Sequence, residues 1–112
     1  MIKCFKAEEA KIRKISDSYS VANLLTVENS EKLSVAVSEA VEHNETTQTS
    51  SDRAYYILEG ELVINDELKA KKGDLIFIPG NREYNFKGTF KAVLINSPAF
   101  KKEEEKIKNL KK

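Results

Sequence analysis

The 112-residue sequence predicts one all-β domain, and two patterns carry that prediction. Short runs of β-branched and aromatic residues recur about every 8–12 residues, with Gly, Pro, Asn or Asp between them. In the run LSVAVSEAV at 33–41, residues of two kinds alternate strictly, as in a strand with one apolar face. Several short strands joined by tight turns are typical of a β-sandwich or a β-barrel.

The first half of the chain is predicted to hold a helical turn over 6–13, a strand over 20–27 and the alternating strand over 33–41. In that last strand, one face is apolar except for one acid, and we expect this face to be buried. Its residues are Leu33, Val35, Val37, Glu39 and Val41. The polar stretch 43–52, rich in Thr and Ser, predicts a loop or an irregular edge strand.

The second half is predicted to hold strands over 54–58 and 61–64, on either side of a bend at Gly60. Further short strands are predicted over 68–71, 75–78, 83–86 and 90–95. Phe100, Ile107 and Leu110 then recur at helical spacing among Lys and Glu. This spacing predicts a short amphipathic C-terminal helix over about 99–112.

Composition excludes several classes of protein. The formal net charge is +1, so the chain lacks the basic excess of a general nucleic-acid binder. No apolar run approaches the roughly 20 residues that span a bilayer, and no secretory signal is visible. Cys4 is the only cysteine, which excludes an internal disulfide and favours a cytoplasmic location.

Two segments, DRAYYILEGEL at 52–62 and GDLIFIPGNREYNF at 73–86, together resemble the two motifs of the cupin superfamily. Gly60, Gly73, Asp74 and Pro79 match the family pattern. The resemblance implies a single cupin-like domain with a jelly-roll β-barrel (a double-stranded β-helix) over about 20–98. It also implies a pocket inside the barrel and, commonly, a homodimer.

The sequence departs from the family at the positions that bind metal. Counting along the motifs places Arg53 at the family's glutamate and Tyr84 at its last histidine. Its two other histidine positions fall on Thr46 and Gln48, or on Thr47 and Thr49 if the loop is one residue shorter. Because these residues are poor ligands and an arginine repels a cation, we expect neither a metal nor another cofactor.

His43 is the only histidine, so a multi-histidine metal site cannot be built. The main expectation is that His43 lies solvated in its loop. The alternative is a displaced metal site formed by His43 with Glu45 and Glu39.

Alternation along the strands predicts which side chains line the pocket. If position 53 points inward, Tyr55 and Ile57 do so too, and an inward Tyr84 brings Phe86 with it. The predicted ligand-binding residues are Arg53, Gln48, Thr46, Tyr84, Tyr55 and Phe86. Arg53 is expected to hold an anionic ligand or, equally, to pair inside the barrel with Glu39.

These patterns predict a cytoplasmic protein that binds a small polar or anionic molecule without a metal. The ethanolamine-utilisation cupins, which also lack the usual ligands, offer an analogy from fold. One alternative is a metal-independent isomerase, epimerase or lyase for a sugar or a carboxylate, with Glu39 and Tyr84 as candidate catalytic residues. The other is a structural or regulatory homodimer with a filled barrel. Whether the protein is an enzyme stays open at this point.

Overall fold

The computed structural model describes residues 2–108, and most of them lie in antiparallel strands. The strands are β1 (Lys11–Ser16), β2 (Tyr19–Leu25), β3 (Ser34–Gln48), β4 (Asp52–Ile64), β5 (Leu68–Lys71), β6 (Leu75–Ile78), β7 (Tyr84–Ser97) and β8 (Lys106–Lys108). They pair in the order β1-β2-β3-β7-β4-β5, while β6 also pairs with β4 and β8 with β3. The predicted all-β jelly roll is confirmed.

The long strands β3, β7 and β4 form the centre of the sheet, and their inward side chains build one core. Rings dominate this core: Tyr19, Tyr55, Tyr84, Phe86 and Phe90 are all buried. The sequence prediction divided these strands too finely. The stretch 43–52 is mostly strand, and the two last predicted strands are the single strand β7.

The apolar face predicted for 33–41 was assigned to the wrong side of the sheet. Ser34, Ala36, Ser38 and Ala40 are buried, whereas Glu39 and its neighbours on the other face point outward. Small inner residues fit here because large rings from other strands share the same core, and small and large residues complement each other across a barrel interior.

A β-bulge between Ala40 and His43 changes which residues of β3 face inward. Glu42, at the bulge, has a φ of 45°. Even-numbered residues face the core before the bulge and odd-numbered ones after it, beginning with His43 and Glu45. An extra residue in one strand has this effect because side chains alternate with a period of two.

The predicted bend at Gly60 is a second bulge, between Ile57 and Glu59, and β4 continues through it. Gly60 has a φ of +79°, and a Cβ there would lie 2.1 Å from the carbonyl oxygen of Thr89. Only glycine fits this position without a backbone shift.

The predicted C-terminal helix is wrong for the residues that the structure describes. Lys102–Glu104 form one turn of 3-10 helix and Lys106–Lys108 form β8, while 109–112, including Leu110, lie outside the described residues. Strand β8 pairs with Thr46, Thr47 and Gln48 of β3, a part of that strand with which β2 does not pair. Pairing satisfies the backbone groups of that edge, which a short helix would leave exposed.

Two rows of apolar side chains cross the outside of the sheet, and we call them the outer apolar face. They are Val35, Ile95, Ala54 and Phe77 in one row and Val37, Val93, Tyr56 and Leu75 in the next. A charged row of Glu39, Lys91 and Glu59 borders them. Across residues 2–108 we find no helix of the length and apolarity that a membrane crossing requires.

Candidate functional site

A cavity of about 190 Å³ opens between β1, β2 and the chain's C-terminal segment. Its walls are largely apolar, with Val21, Phe86 and Leu94 among them. Its charged and amide groups are Arg13, Asn23, Glu45, Arg53, Asn96, Lys102 and Glu105. A cavity of about 150 Å³ is large enough to bind benzene, so the barrel is not filled by its own side chains.

Arg53, on β4, is the buried cation of this cavity, and its side chain is only 4% exposed. Its Nε donates a hydrogen bond of 2.8 Å to Asn96 Oδ1, and its Nη1 donates one of 2.9 Å to the Tyr84 hydroxyl. Burial alone lowers the pKa of the guanidinium, but the phenolic oxygens of Tyr84 and Tyr55 outweigh that effect and raise the pKa above its ordinary value. Arg53 is therefore a fixed positive charge.

Two buried tyrosines, which lie deeper in the core than Arg53, extend its hydrogen bonding. The hydroxyl groups of Tyr55 and Tyr84 lie 2.5 Å apart, which joins the guanidinium and both phenols in one hydrogen-bonded chain. Burial raises the pKa of both phenols above the ordinary value of 10.0, although the nearby Arg53 works in the opposite direction. Both therefore stay protonated at neutral pH, which makes them hydrogen-bond donors rather than bases.

A second set of hydrogen-bonded polar side chains, centred on β3, lies beside the cavity. His43 Nε2 lies 2.8 Å from Glu45 Oε1, and both side chains are almost completely buried. On the other side of the ring, Nδ1 lies 2.6 Å from the Ser18 hydroxyl, and Tyr19 stacks on the imidazole with ring centroids 4.8 Å apart. In the tautomer with the hydrogen on Nε2, the ring donates to the Glu45 carboxylate and accepts from the Ser18 hydroxyl at Nδ1. This chain orients Glu45, which itself lines the cavity.

The mouth of the cavity is covered by residues after β7. Glu105 Oε1 lies 3.1 Å from Arg13 Nη2, and the other carboxylate oxygen lies 4.0 Å from Arg53 Nη2. The ring of Phe100 faces both guanidinium groups, with its centroid 5.0 Å from Arg13 Cζ and 5.8 Å from Arg53 Cζ. Two cations, one carboxylate and one ring thus meet at the entrance.

The inward direction predicted for β4 and β7 agrees with the structure. Arg53, Tyr55, Tyr84 and Phe86 are all buried on the inner face. Among them, Arg53 and Phe86 line the cavity, whereas Tyr55 and Tyr84 lie one layer further in. The role of these residues in binding a ligand stays a prediction.

The predicted lining by Thr46 and Gln48 is wrong, because both are only partly buried and lie on the outward side of β3. The alternative pair, Thr47 and Thr49, does face inward, at 1% and 6% exposure. The bulge before His43 sets this register.

Glu39 is neither the partner of Arg53 nor part of the cavity. It is exposed on the outside of the sheet, opposite Lys91 in the neighbouring strand. The carboxylate that Arg53 approaches is Glu105, 52 positions further along the chain. The prediction failed because the alternating face of β3 was assigned to the wrong side.

His43 does not lie in a solvated loop, and a metal site that includes Glu39 is also wrong. His43 is buried within β3, and Glu39 points to the opposite side of the sheet. Within residues 2–108, no group of three or more His, Cys, Asp or Glu side chains could hold a metal ion. The donors near the family's metal position are Thr47, Thr49, Tyr84 and the cation Arg53, which do not fit the usual cupin metals.

The sequence prediction did not place several residues of the site in or beside the pocket. His43 and Glu45 alternate within HNETTQ, and that alternation was a usable strand signal. Asn96 shares the inward face of β7 with Tyr84 and could have been found by continuing that strand. No local signal connects Arg13 and Glu105 to the cavity, because the tertiary fold alone brings them there.

Comparisons with known proteins agree with the fold. Residues 3–100 match the family described as ethanolamine utilisation protein EutQ. Clostridium difficile EutQ is similar in structure with a TM-score of 0.66 and 24% identity, over 77% of this chain and 66% of that chain. No curated protein sequence matches the chain.

Higher structural similarity is found to Streptomyces PAC13. A variant of it with a histidine replaced by glutamine, with uridine, gives a TM-score of 0.81 and 21% identity over 100% of this chain and 95% of that chain. Pac13 is described as a nucleoside dehydratase, and that structure gives a TM-score of 0.80 at 22% identity. Two further PAC13 variants with uridine each have a tyrosine replaced by phenylalanine. At these identities the likeness shows the fold alone.

Proposed function

Because the chain belongs to the EutQ family and has the cupin fold, we propose that its barrel cavity binds a small polar molecule without a metal ion. The observation that carries the proposal is a cavity of about 190 Å³ with apolar walls and a few fixed polar groups. Small-molecule sites have this composition, because the apolar surface supplies affinity and the polar groups fix orientation.

The proposal is tested by a thermal-shift screen of nucleosides, sugars and their phosphorylated or carboxylated derivatives. A molecule that binds only the native state raises the melting temperature. We expect Arg53→Gln to abolish the shift and Arg82→Gln, an exposed arginine outside the cavity, to retain it. Circular dichroism checks that both variants fold. A shift that survives in Arg53→Gln would remove Arg53 from the site.

The absence of a metal is tested separately on protein purified without chelators. We expect much less than one equivalent of iron, manganese, nickel or zinc by elemental analysis, because the donors around Arg53 suit none of them. One tightly held equivalent of any of these metals would contradict the proposal.

A second candidate function is a metal-independent lyase, and the Ser18–His43–Glu45 chain favours it. In such a reaction, Glu45 removes a proton from the carbon between a carbonyl and a carbon that bears a hydroxyl group. The electron pair left on this carbon forms a carbon–carbon double bond as the hydroxyl group leaves. Glu45 then returns its proton to the departing hydroxyl, and water is released. Arg53 stabilises the negative charge that develops on the carbonyl oxygen. The likeness to a nucleoside dehydratase, studied with a histidine and two tyrosines replaced, is additional support.

The lyase is tested with β-hydroxy aldehydes and ketones, with and without a nucleobase, by the ultraviolet absorbance of the conjugated product. We expect Glu45→Gln, which keeps the acceptor for His43 but removes the base, to lower the rate by at least about 100-fold. Glu39→Gln, on the outside of the sheet, should leave the rate unchanged. An equal loss in both variants, or no conjugated product from any compound, would contradict the lyase.

We also propose a homodimer in the cytoplasm. The outer apolar face supports self-association, because apolar rows with a charged border are typical of interfaces. The formal net charge of +1 means that two copies repel each other little. Cys4, the only cysteine, is exposed and free, and a free thiol on the surface fits a reducing compartment.

A further inference from the structure

The segment 98–108, which we call the C-terminal strap, closes the mouth of the cavity. It is attached to the barrel by the pairing of β8 with β3 and by hydrogen bonds that involve serine and threonine side chains. Phe100 N–H donates to Ser34 Oγ at 2.9 Å, Ser51 Oγ to the Pro98 carbonyl at 2.7 Å, and Thr47 Oγ1 to the Lys106 carbonyl at 3.2 Å. No residue of 98–108 belongs to the hydrophobic core of the barrel, so the strap can separate from the barrel without unfolding that core.

Glu105 is the strap's charged contact with the inside of the cavity. Its side chain is 7% exposed and its carboxylate is placed between the two arginines, 3.1 Å from Arg13 Nη2 and 4.0 Å from Arg53 Nη2. The second distance is too long for a hydrogen bond. Arg53 uses Nε and Nη1 on Asn96 and Tyr84, so Nη2 is the nitrogen whose charge is met only across this gap.

The charges that line the cavity show what would happen if the strap moved. Lys102 would move with Glu105, and Arg13 and Arg53 would then face one remaining carboxylate, that of Glu45, which is already hydrogen-bonded to His43. A buried guanidinium without a counter-charge is strongly unfavourable. An anion that arrives from solvent can therefore replace Glu105, and a planar fork such as Arg53 suits a carboxylate or a phosphate.

We propose that Arg13 and Arg53 form an anion subsite that the Glu105 carboxylate occupies in the absence of ligand. This inference rests on the proposed function and narrows it: the ligand carries a carboxylate or a phosphate group, which displaces Glu105 and releases the strap. Glu105 thus competes with the ligand for the same two arginines. A carboxylate with a purely structural role would not compete.

Competition predicts that removal of the internal carboxylate strengthens anion binding. We expect Glu105→Gln to bind inorganic phosphate or acetate on the order of tenfold more tightly than the unaltered protein. Titrations followed by amide NMR at constant ionic strength measure the affinity. Tighter binding of phosphate would indicate a phosphate ligand, and tighter binding of acetate a carboxylate ligand. Glu103→Gln, an exposed position on the same strap with the same change in charge, should bind like the unaltered protein. Adding Arg13→Gln to Glu105→Gln should cancel the gain.

A second measurement uses the unaltered protein, so it does not depend on how a variant folds. If an anion releases the strap, phosphate or acetate should speed trypsin cleavage after Lys101, Lys102 or Lys106, identified by mass spectrometry, whereas chloride at the same ionic strength should not. Equal or weaker binding by Glu105→Gln, or an unchanged cleavage rate, would overturn the anion subsite.

The outcomes separate this inference from the proposed function. If a neutral sugar or nucleoside stabilises the protein through Arg53 while neither anion binds better to Glu105→Gln, the cavity binds a small molecule and the anion subsite is wrong. If neither the screen nor the anion titrations show any binding, both proposals are wrong.

Discussion

Three of the four tyrosines, Tyr19, Tyr55 and Tyr84, lie in the core, and their burial has a consequence for stability. Desolvation is the largest influence on each and raises the pKa of all three phenols above the ordinary 10.0. In the unfolded chain the same phenols ionise near pH 10. Above that pH the unfolded state therefore holds fewer protons than the folded state, and the free energy of unfolding falls as pH rises.

We expect stability against urea to be unaffected by the tyrosines below about pH 10 and to fall progressively above it. Absorbance at 295 nm should show the three buried phenols ionising together with unfolding. Tyr55→Phe removes one of these groups and should reduce the loss of stability between pH 10 and pH 12. A loss of equal steepness in this variant would show that other groups cause the alkaline unfolding.

Arg53 shows how far single residues could be predicted. The family motif and alternation along β4 were enough to place it inside the barrel, because both depend on local sequence. The same motif places Tyr84 near it, and continuing the inward face of β7 from Tyr84 reaches Asn96. The approach of Glu105 was not predictable, because only the tertiary structure brings the strap to this guanidinium.

At the scale of elements, the turns and most strands follow from local sequence, but the bulge in β3 does not. Nothing in the run EAVEHNE at 39–45 marks Val41 and Glu42 as the point where the strand gains a residue. Without the bulge, His43 and Glu45 would point away from the core that Ala36 and Ala40 face. The strand was predictable, whereas its contribution to the site depended on one irregular step.

Gly60, which follows the bulge in β4, allows an element-scale prediction with a matched control. Gly60 and Gly73 both have positive φ, +79° and +91°, so alanine strains the backbone at each. A Cβ at Gly60 also meets the backbone of β7, whereas nothing lies within 4 Å of one at Gly73. We expect Gly60→Ala to lower the free energy of unfolding by about 1–3 kcal/mol more than Gly73→Ala, because the backbone must move. Equal losses of unfolding free energy in urea denaturation would mean that β4 and β7 move apart at Gly60 without further loss of stability.

At the scale of the whole molecule, the outer apolar face is an exposed surface that the fold itself does not explain. Leu75 and Phe77 are 58% and 59% exposed, and Tyr56 is 41% exposed. They lie in register with less exposed valines and an isoleucine across four strands, so the surface is continuous rather than scattered. An apolar surface can pair with its own copy about a two-fold axis, because it needs no complementary charges.

Self-association through this face can be tested with two leucines of nearly equal exposure. Leu75, at 58%, belongs to the outer apolar face, and Leu68, at 61%, lies on β5 away from it. We expect Leu75→Lys to convert a dimer into a monomer in sedimentation equilibrium, because a lysine placed in an apolar interface loses its hydration without gaining a partner. Leu68→Lys makes the same chemical change elsewhere and should leave the dimer intact. A monomer before any substitution, or a dimer that survives Leu75→Lys, would show that the face does not pair with its own copy.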